Sequence, residues 1–177
     1  MALSLSACIA TINATPEQQI GNSPECQGCQ QAPQATVSVA QACTDTADSY
    51  VYVRDRLLYE EYVALFSEDA SFQIEGGPTA EGREQIVNAL RTRGPAADLR
   101  HDSKVVHMQQ TGAATASGVS YFTIWRADGV GAKIGKNKLG SPWVFGEYHD
   151  DYQMQGGRCL ITKRLIKIVY QASGPEL

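Results

Sequence analysis

Tyr50-Val51-Tyr52-Val53-Arg54-Asp55, followed by Tyr62-Val63-Ala64-Leu65-Phe66-Ser67-Glu68-Asp69-Ala70-Ser71-Phe72, carries the change from helix to sheet in this chain. Val39, Ala42, Tyr50, Val53 and Leu57 fall near helical spacing, with irregularity at 43–46, and predict a first helix. Residues 60–67, with Tyr62, Leu65 and Phe66, read as a second, short one. Residues 70–75 alternate like a strand until Gly76-Gly77-Pro78 breaks the pattern. Residues 81–93 carry Ile86, Val87 and Leu90, a third helix ended by Gly94-Pro95.

Downstream, everything reads as sheet. Residues 100–110, 113–127, 142–155 and 159–171 are rich in Val, Ile, Tyr, Phe and Trp. Thr111-Gly112, the Gly-rich 128–141 and Gly156-Gly157 separate them as turns. Helices first and a long antiparallel sheet after define an α+β domain. The expected form is a cone-shaped barrel: N-terminal helices packed on a strongly curved antiparallel sheet that encloses an apolar pocket. The domain is expected over residues 37–171, behind a tether at 1–36 and before a tail at 172–177. Residues 13–36 are rich in Gln, Pro, Ser, Asn and Gly, without hydrophobic period.

Composition excludes several partners. A net charge of −4 gives no reason to expect nucleic acid or an anionic membrane surface. No apolar run approaches the ~20 residues that span a bilayer. The five cysteines are Cys8, Cys26, Cys29, Cys43 and Cys159, an odd number, so at least one lacks a partner within the chain or is modified. Cys26-Gln27-Gly28-Cys29 is one CxxC without a second pair or a nearby His, and reads as a local disulfide or a free pair rather than a zinc site. Leu5-Ser6-Ala7-Cys8 resembles a bacterial lipobox, with only Met1 to Ser4 before it. That makes Cys8 a candidate lipid anchor and suggests a periplasmic protein or lipoprotein; the alternative is a cytoplasmic one. Gly129 to Lys136 imitates a phosphate loop, but Val130 stands where its first Gly belongs and Asn137 follows the Lys. It reads as a loop between strands, able to act as a lid.

The opening stretch resembles the SnoaL-like proteins of the nuclear transport factor 2-like superfamily. Their first helix carries Y-x4-D, followed by an apolar LF pair, acidic residues, Ala and a strand; Asp55 and Phe66 keep the interval of about eleven residues. Gly82-Arg83-Glu84-Gln85-Ile86 is similar to the family's GREAI helix start, Arg100-His101 to its RH at a strand mouth, and 146–151 with 157–164 to its closing hairpin. At the active positions the chain is most similar to bile acid 7α-dehydratase, lindane dehydrochlorinase and scytalone dehydratase. The resemblance implies an Asp–His dyad of Asp55 and His101, assisted by Tyr50. Asp102-Ser103-Lys104 depart from the small polar residue and Asn that commonly follow the His, which leaves the strand register open by one residue.

The chemistry suits these types. A His base works near neutral pH. A carboxylate on its far nitrogen fixes the tautomer and stabilises the imidazolium, with no metal or organic cofactor required. Tyr50 precedes Asp55 by five residues, about 140° net around a helix. Tyr52 and Arg54 read as structural or exposed. His107, six residues beyond His101, is expected on the same strand face. His149 amid Glu147, Asp150 and Asp151 offers too few ligands for a metal. Tyr121, Trp125, Phe145, Trp143 and Tyr148 are the expected substrate-binding aromatics, although alternation cannot say which sheet face lines the cone. Arg164 is a candidate polar anchor, or else a surface ion pair. The reading is a cofactor-independent lyase of dehydratase type for a small, apolar, hydroxylated aromatic or polycyclic substrate. The alternatives are an isomerase or cyclase with the same dyad, or a secreted binding or assembly module. The family implies a homodimer or homotrimer.

Overall fold

Ser38 opens the first helix by accepting a hydrogen bond from the Gln41 backbone N–H in a computed structural model that describes residues 37–92, 99–127 and 139–172. Helix α1 then runs unbroken over Val39–Asp55. The irregularity expected at 43–46 is absent; Thr44 and Thr46 direct their hydroxyls at the carbonyls of Ala40 and Ala42 inside the helix. Thr46 also donates to the Cys159 carbonyl at 2.8 Å, tying the helix to the sheet. The helix ends in a Schellman motif: the Leu58 N–H reaches the Val53 carbonyl and the Leu57 N–H that of Arg54. Leu57 takes the left-handed conformation there, with φ 54°, where glycine is usual. A bulky residue in that region stores roughly 1–3 kcal/mol of strain two residues after Asp55.

Helix α2 is shorter than expected, Tyr59–Val63, because Phe66 already belongs to strand β1 (Phe66–Ile74). A short strand β2, Thr79–Glu81, went unseen in the sequence; helix α3 follows over Gly82–Thr92. The long strands are β3 (Leu99–Gln110), β4 (Thr115–Ala127), β5 (Leu139–Gln155) and β6 (Arg158–Gln171). Gly156 and Gly157 both have positive φ, as the two-residue turn between β5 and β6 requires.

The six strands form one sheet in the order β2-β1-β6-β5-β4-β3. Two expectations need correction. The sheet is mixed, since β1 pairs in parallel with β6. It is also open: β2 and β3 are its edges, so no barrel closes. The helices pack on one face of it. From that face Phe122, Ile124, Val144, Tyr148, Tyr152, Ile161 and Ile166 meet Tyr50, Val53, Tyr62 and Phe66 in the core. Gly146 is required there: a Cβ would collide with the Lys167 carbonyl and lie 2.5 Å from the Phe122 ring. That ring stacks on Tyr148 at 4.2 Å. Among the described residues no helix is long and apolar enough to cross a membrane.

A disulfide joins Cys43 of α1 to Cys159 of β6, 116 residues apart, with both cysteines buried. Closing so long a loop restricts the unfolded chain, and loss of such a bridge costs about 2–5 kcal/mol. Replacing both cysteines by alanine is expected to lower the urea midpoint accordingly; an unchanged midpoint would show that the bridge contributes nothing. Cys8 and the Cys26–Cys29 pair lie outside the described residues, as does the Gly129–Lys136 loop.

Candidate active site

The Schellman end of α1 delivers Asp55 to the mouth of β3. There His101 Nδ1 lies 2.6 Å from Asp55 Oδ1, and the His101 backbone N–H donates to Oδ2 at 2.7 Å. Both carboxylate oxygens are thus held by one residue. Only 3% of the histidine side chain and 7% of the aspartate's are exposed. With Nδ1 donating to the carboxylate, Nε2 is left as the acceptor. His101 pairs with Ile124 on the next strand, whose side chain is in the core, so its ring is on the helix-covered face.

The protonation balance follows from burial and charge. Burial disfavours imidazolium and is the largest influence on His101; Asp55 opposes it, while Arg54 and Arg100 add to it. The net effect sets His101 below its ordinary 6.5. For Asp55, burial pushes upward, but the hydrogen bonds and charge of His101, with Arg54, outweigh it and set the carboxyl below 3.8. Near neutral pH the pair is therefore a neutral imidazole on an ionised carboxylate, the form in which a histidine accepts a proton.

Tyr50 is buried one turn and more before Asp55. Its phenol oxygen is 3.5 Å from that of Tyr62, and its ring sits against Tyr148 at 5.4 Å. Burial and the neighbouring Tyr50 hold the Tyr62 and Tyr148 phenols well above their usual values, so both stay protonated. Below them is a buried ion pair. Arg164 gives two hydrogen bonds to Asp150, at 2.7 and 2.6 Å, and Tyr152 donates a third at 2.7 Å. The Arg164 guanidinium also lies over the Tyr50 ring, 3.8 Å from its centroid, and 4.4 Å from that of Tyr148. Arg164 is 1% exposed, so the surface ion pair considered for it is excluded.

The other expected residues separate by sheet face. Tyr148 is on the covered face, and half-buried Trp143 also packs against the core. Tyr121, Trp125 and Phe145 are on the opposite face, because their ladder positions are one residue out of step with Phe122, Ile124 and Val144. Tyr121 and Phe145 meet there at 5.9 Å, and Phe145 meets Tyr170 at 6.1 Å. They do not share a face with Asp55 and His101. His107 is displaced likewise. A bulge between Val105 and His107 adds one residue to the strand, so His107 pairs with Val119 and faces outward, against the expectation that it shares the His101 face. Outside, it borders a groove with Val119, His149, Asp151, Lys163 and Leu165. His149 bonds Glu147 at 2.7 Å, and among the described residues no three His, Cys, Asp or Glu side chains gather as a metal site. Tyr52 is exposed as expected. Arg54 takes the other of the two readings, largely buried: it is 14% exposed and within 3.5 Å of Asp55 Oδ1. Its signal was present, since it follows Tyr50 by four residues on the buried helix face.

Helices before a long sheet, with a carboxylate–imidazole pair where the first helix meets a strand mouth, place the chain in a recognisable class. The sequence profile of the SnoaL-like domain matches residues 35–165, so the chain belongs to that family. No curated protein matches it in sequence. Solved structures share its NTF2-like fold. A candidate scytalone dehydratase from Novosphingobium aromaticivorans superposes with a TM-score of 0.64 at 18% identity, covering 77% of this chain and 87% of its own. A ketosteroid isomerase-like protein from Erwinia carotovora atroseptica gives 0.63 at 12%, over 76% and 99%. A type 2 hexachlorocyclohexane dehydrochlorinase (LinA) gives 0.60 at 16%, over 77% and 90%.

Proposed function

We propose that this protein is a cofactor-independent lyase that eliminates water from a small hydroxylated aromatic or polycyclic substrate. The observation that carries this reading is the 2.6 Å contact between Asp55 and His101 in a nearly dry setting. His101 Nε2 takes a proton from carbon, and the electron pair left behind forms the new double bond. The hydroxyl on the neighbouring carbon departs with the proton that His101 collected, so one water leaves and the imidazole is restored. Asp55 orients the ring and stabilises its charged form. Tyr50, next to the protonated Tyr62, assists the departing hydroxyl. Tyr148 and Trp143 contribute aromatic surface on the substrate side.

The outer aromatics have a separate part. Tyr121, Phe145 and Tyr170 form an exposed cluster, with Tyr170 72% and Tyr121 45% exposed. We assign this face to a second copy of the chain. Tyr121→Glu with Tyr170→Glu is expected to shift light-scattering mass from oligomer to monomer; an unchanged mass refutes the assignment. The buried disulfide favours an exported protein, since such bridges persist in oxidising surroundings.

The test of the reaction is turnover of hydroxylated aromatic substrates by the wild type and by His101→Ala, with product mass recorded. Loss of one water supports elimination. A product of unchanged mass makes the same pair an isomerase, and equal turnover by the variant overturns the role of His101.

A further inference from the structure

The helix that presents Asp55 also brings a cation to it. Arg54 shares the buried face of α1 with Tyr50 and is largely out of water, 14% exposed. Its one side-chain partner among the described residues is Asp55, at the long distance of 3.5 Å. Both Asp55 oxygens already accept much shorter bonds from His101. The other buried guanidinium, Arg164, is matched by Asp150, whereas Arg54 faces a carboxylate committed elsewhere. Arg54 immediately precedes Asp55 and follows Tyr50 by four residues on the same helix.

We propose that Arg54 is the anchor for a carboxylate on the substrate, and that the ligand class is a hydroxylated aromatic acid. The proposal rests on the reading of Asp55 and His101 as the reactive pair. A guanidinium fork matches a carboxylate in two parallel hydrogen bonds, which a compact ammonium cannot reproduce. Asp55 spends both oxygens on His101 and offers Arg54 only a contact of 3.5 Å, so a carboxylate brought by the ligand would give the guanidinium the close partner it lacks among the described residues. Tyr50, Tyr62 and Tyr148 pack together in the core beneath the same helix, an aromatic setting suited to the ring of such a ligand.

Cinnamate and its methyl ester serve as probes, titrated by calorimetry into the full-length protein while the His101 ring resonances are followed by NMR. The wild type is expected to bind the acid roughly tenfold or more tightly than the ester, a charge-assisted pair against a neutral contact. Both ligands should move the His101 signals. Arg54→Met is expected to abolish the preference and leave ester binding as it was; Arg54→Lys restores part of it. Far-UV circular dichroism checks that each variant is folded, and the Lys variant keeps the test sharp if the Met variant is not. Equal affinity for acid and ester, unchanged preference in Arg54→Met, or no binding of either probe overturns the proposal. Preference that depends on Arg54 while His101→Ala turns over normally retains the anchor and removes the dyad mechanism.

Discussion

Alanine at His101 is expected to lower turnover by about 10²–10⁴-fold, the contribution of a positioned general base under the proposed mechanism. The loss appears in kcat as well as in kcat/KM, because the proton moves only in the transition state. Asp55→Asn is expected to lower turnover too, since the ring loses its carboxylate partner and the imidazolium its counter-charge. The pH–rate profile carries the signature of the site. Burial sets His101 below 6.5, so the acid limb of kcat/KM falls at lower pH than for an ordinary histidine. Stability follows the same direction. As pH drops below 6.5 the unfolded chain takes up the His101 proton before the native protein does, so stability declines until the lowered native value is reached. Asp55 acts further down: its contribution is present above its unfolded value near 3.8 and is lost as pH falls through its lower native value. Both losses lie on the acid side. An acid limb at or above 6.5 would contradict the buried, neutral histidine.

Asp150→Ala destabilises the fold by about 3–5 kcal/mol, the usual cost of leaving one member of a buried ion pair alone. Asp150 is 3% exposed and accepts from both Arg164 and Tyr152. Without it the Arg164 charge has no counter-ion, and the Tyr152 phenol loses its acceptor. Arg164→Met combined with Asp150→Leu removes both charges together and is expected to recover most of the loss. Urea denaturation of the two variants measures the difference. A single variant within about 1 kcal/mol of wild type would mean that Arg164 finds compensation elsewhere.

The helix-then-sheet layout was readable because periodicity changes from helical spacing to alternation near residue 66. Asp55 and His101 were readable through the ordered family pattern. What alternation cannot supply is which face the helices cover. Tyr121, Trp125 and Phe145 therefore looked as suitable as Tyr148, and only the packing of α1 against the sheet separates them. Bulges defeat counting in the same way. Val105 and Val106 are both good strand formers, so nothing marks the extra residue that turns His107 outward. Counting back from the Gly156-Gly157 turn would set Arg164 opposite His149. The shift between Asp151 and Tyr152 sets it opposite Asp150 instead, and so creates the buried ion pair. The Cys43–Cys159 pairing spans most of the domain and leaves no local trace.

That bridge has a topological result. It makes residues 43 to 159 one covalent ring, which includes helices α2 and α3, strands β1 to β5 and the dyad itself. A peptide bond cut anywhere inside the ring opens a circle without releasing a piece. Hydrolytic damage in the connections between strands leaves Asp55 and His101 tethered within the same molecule for as long as the bridge holds.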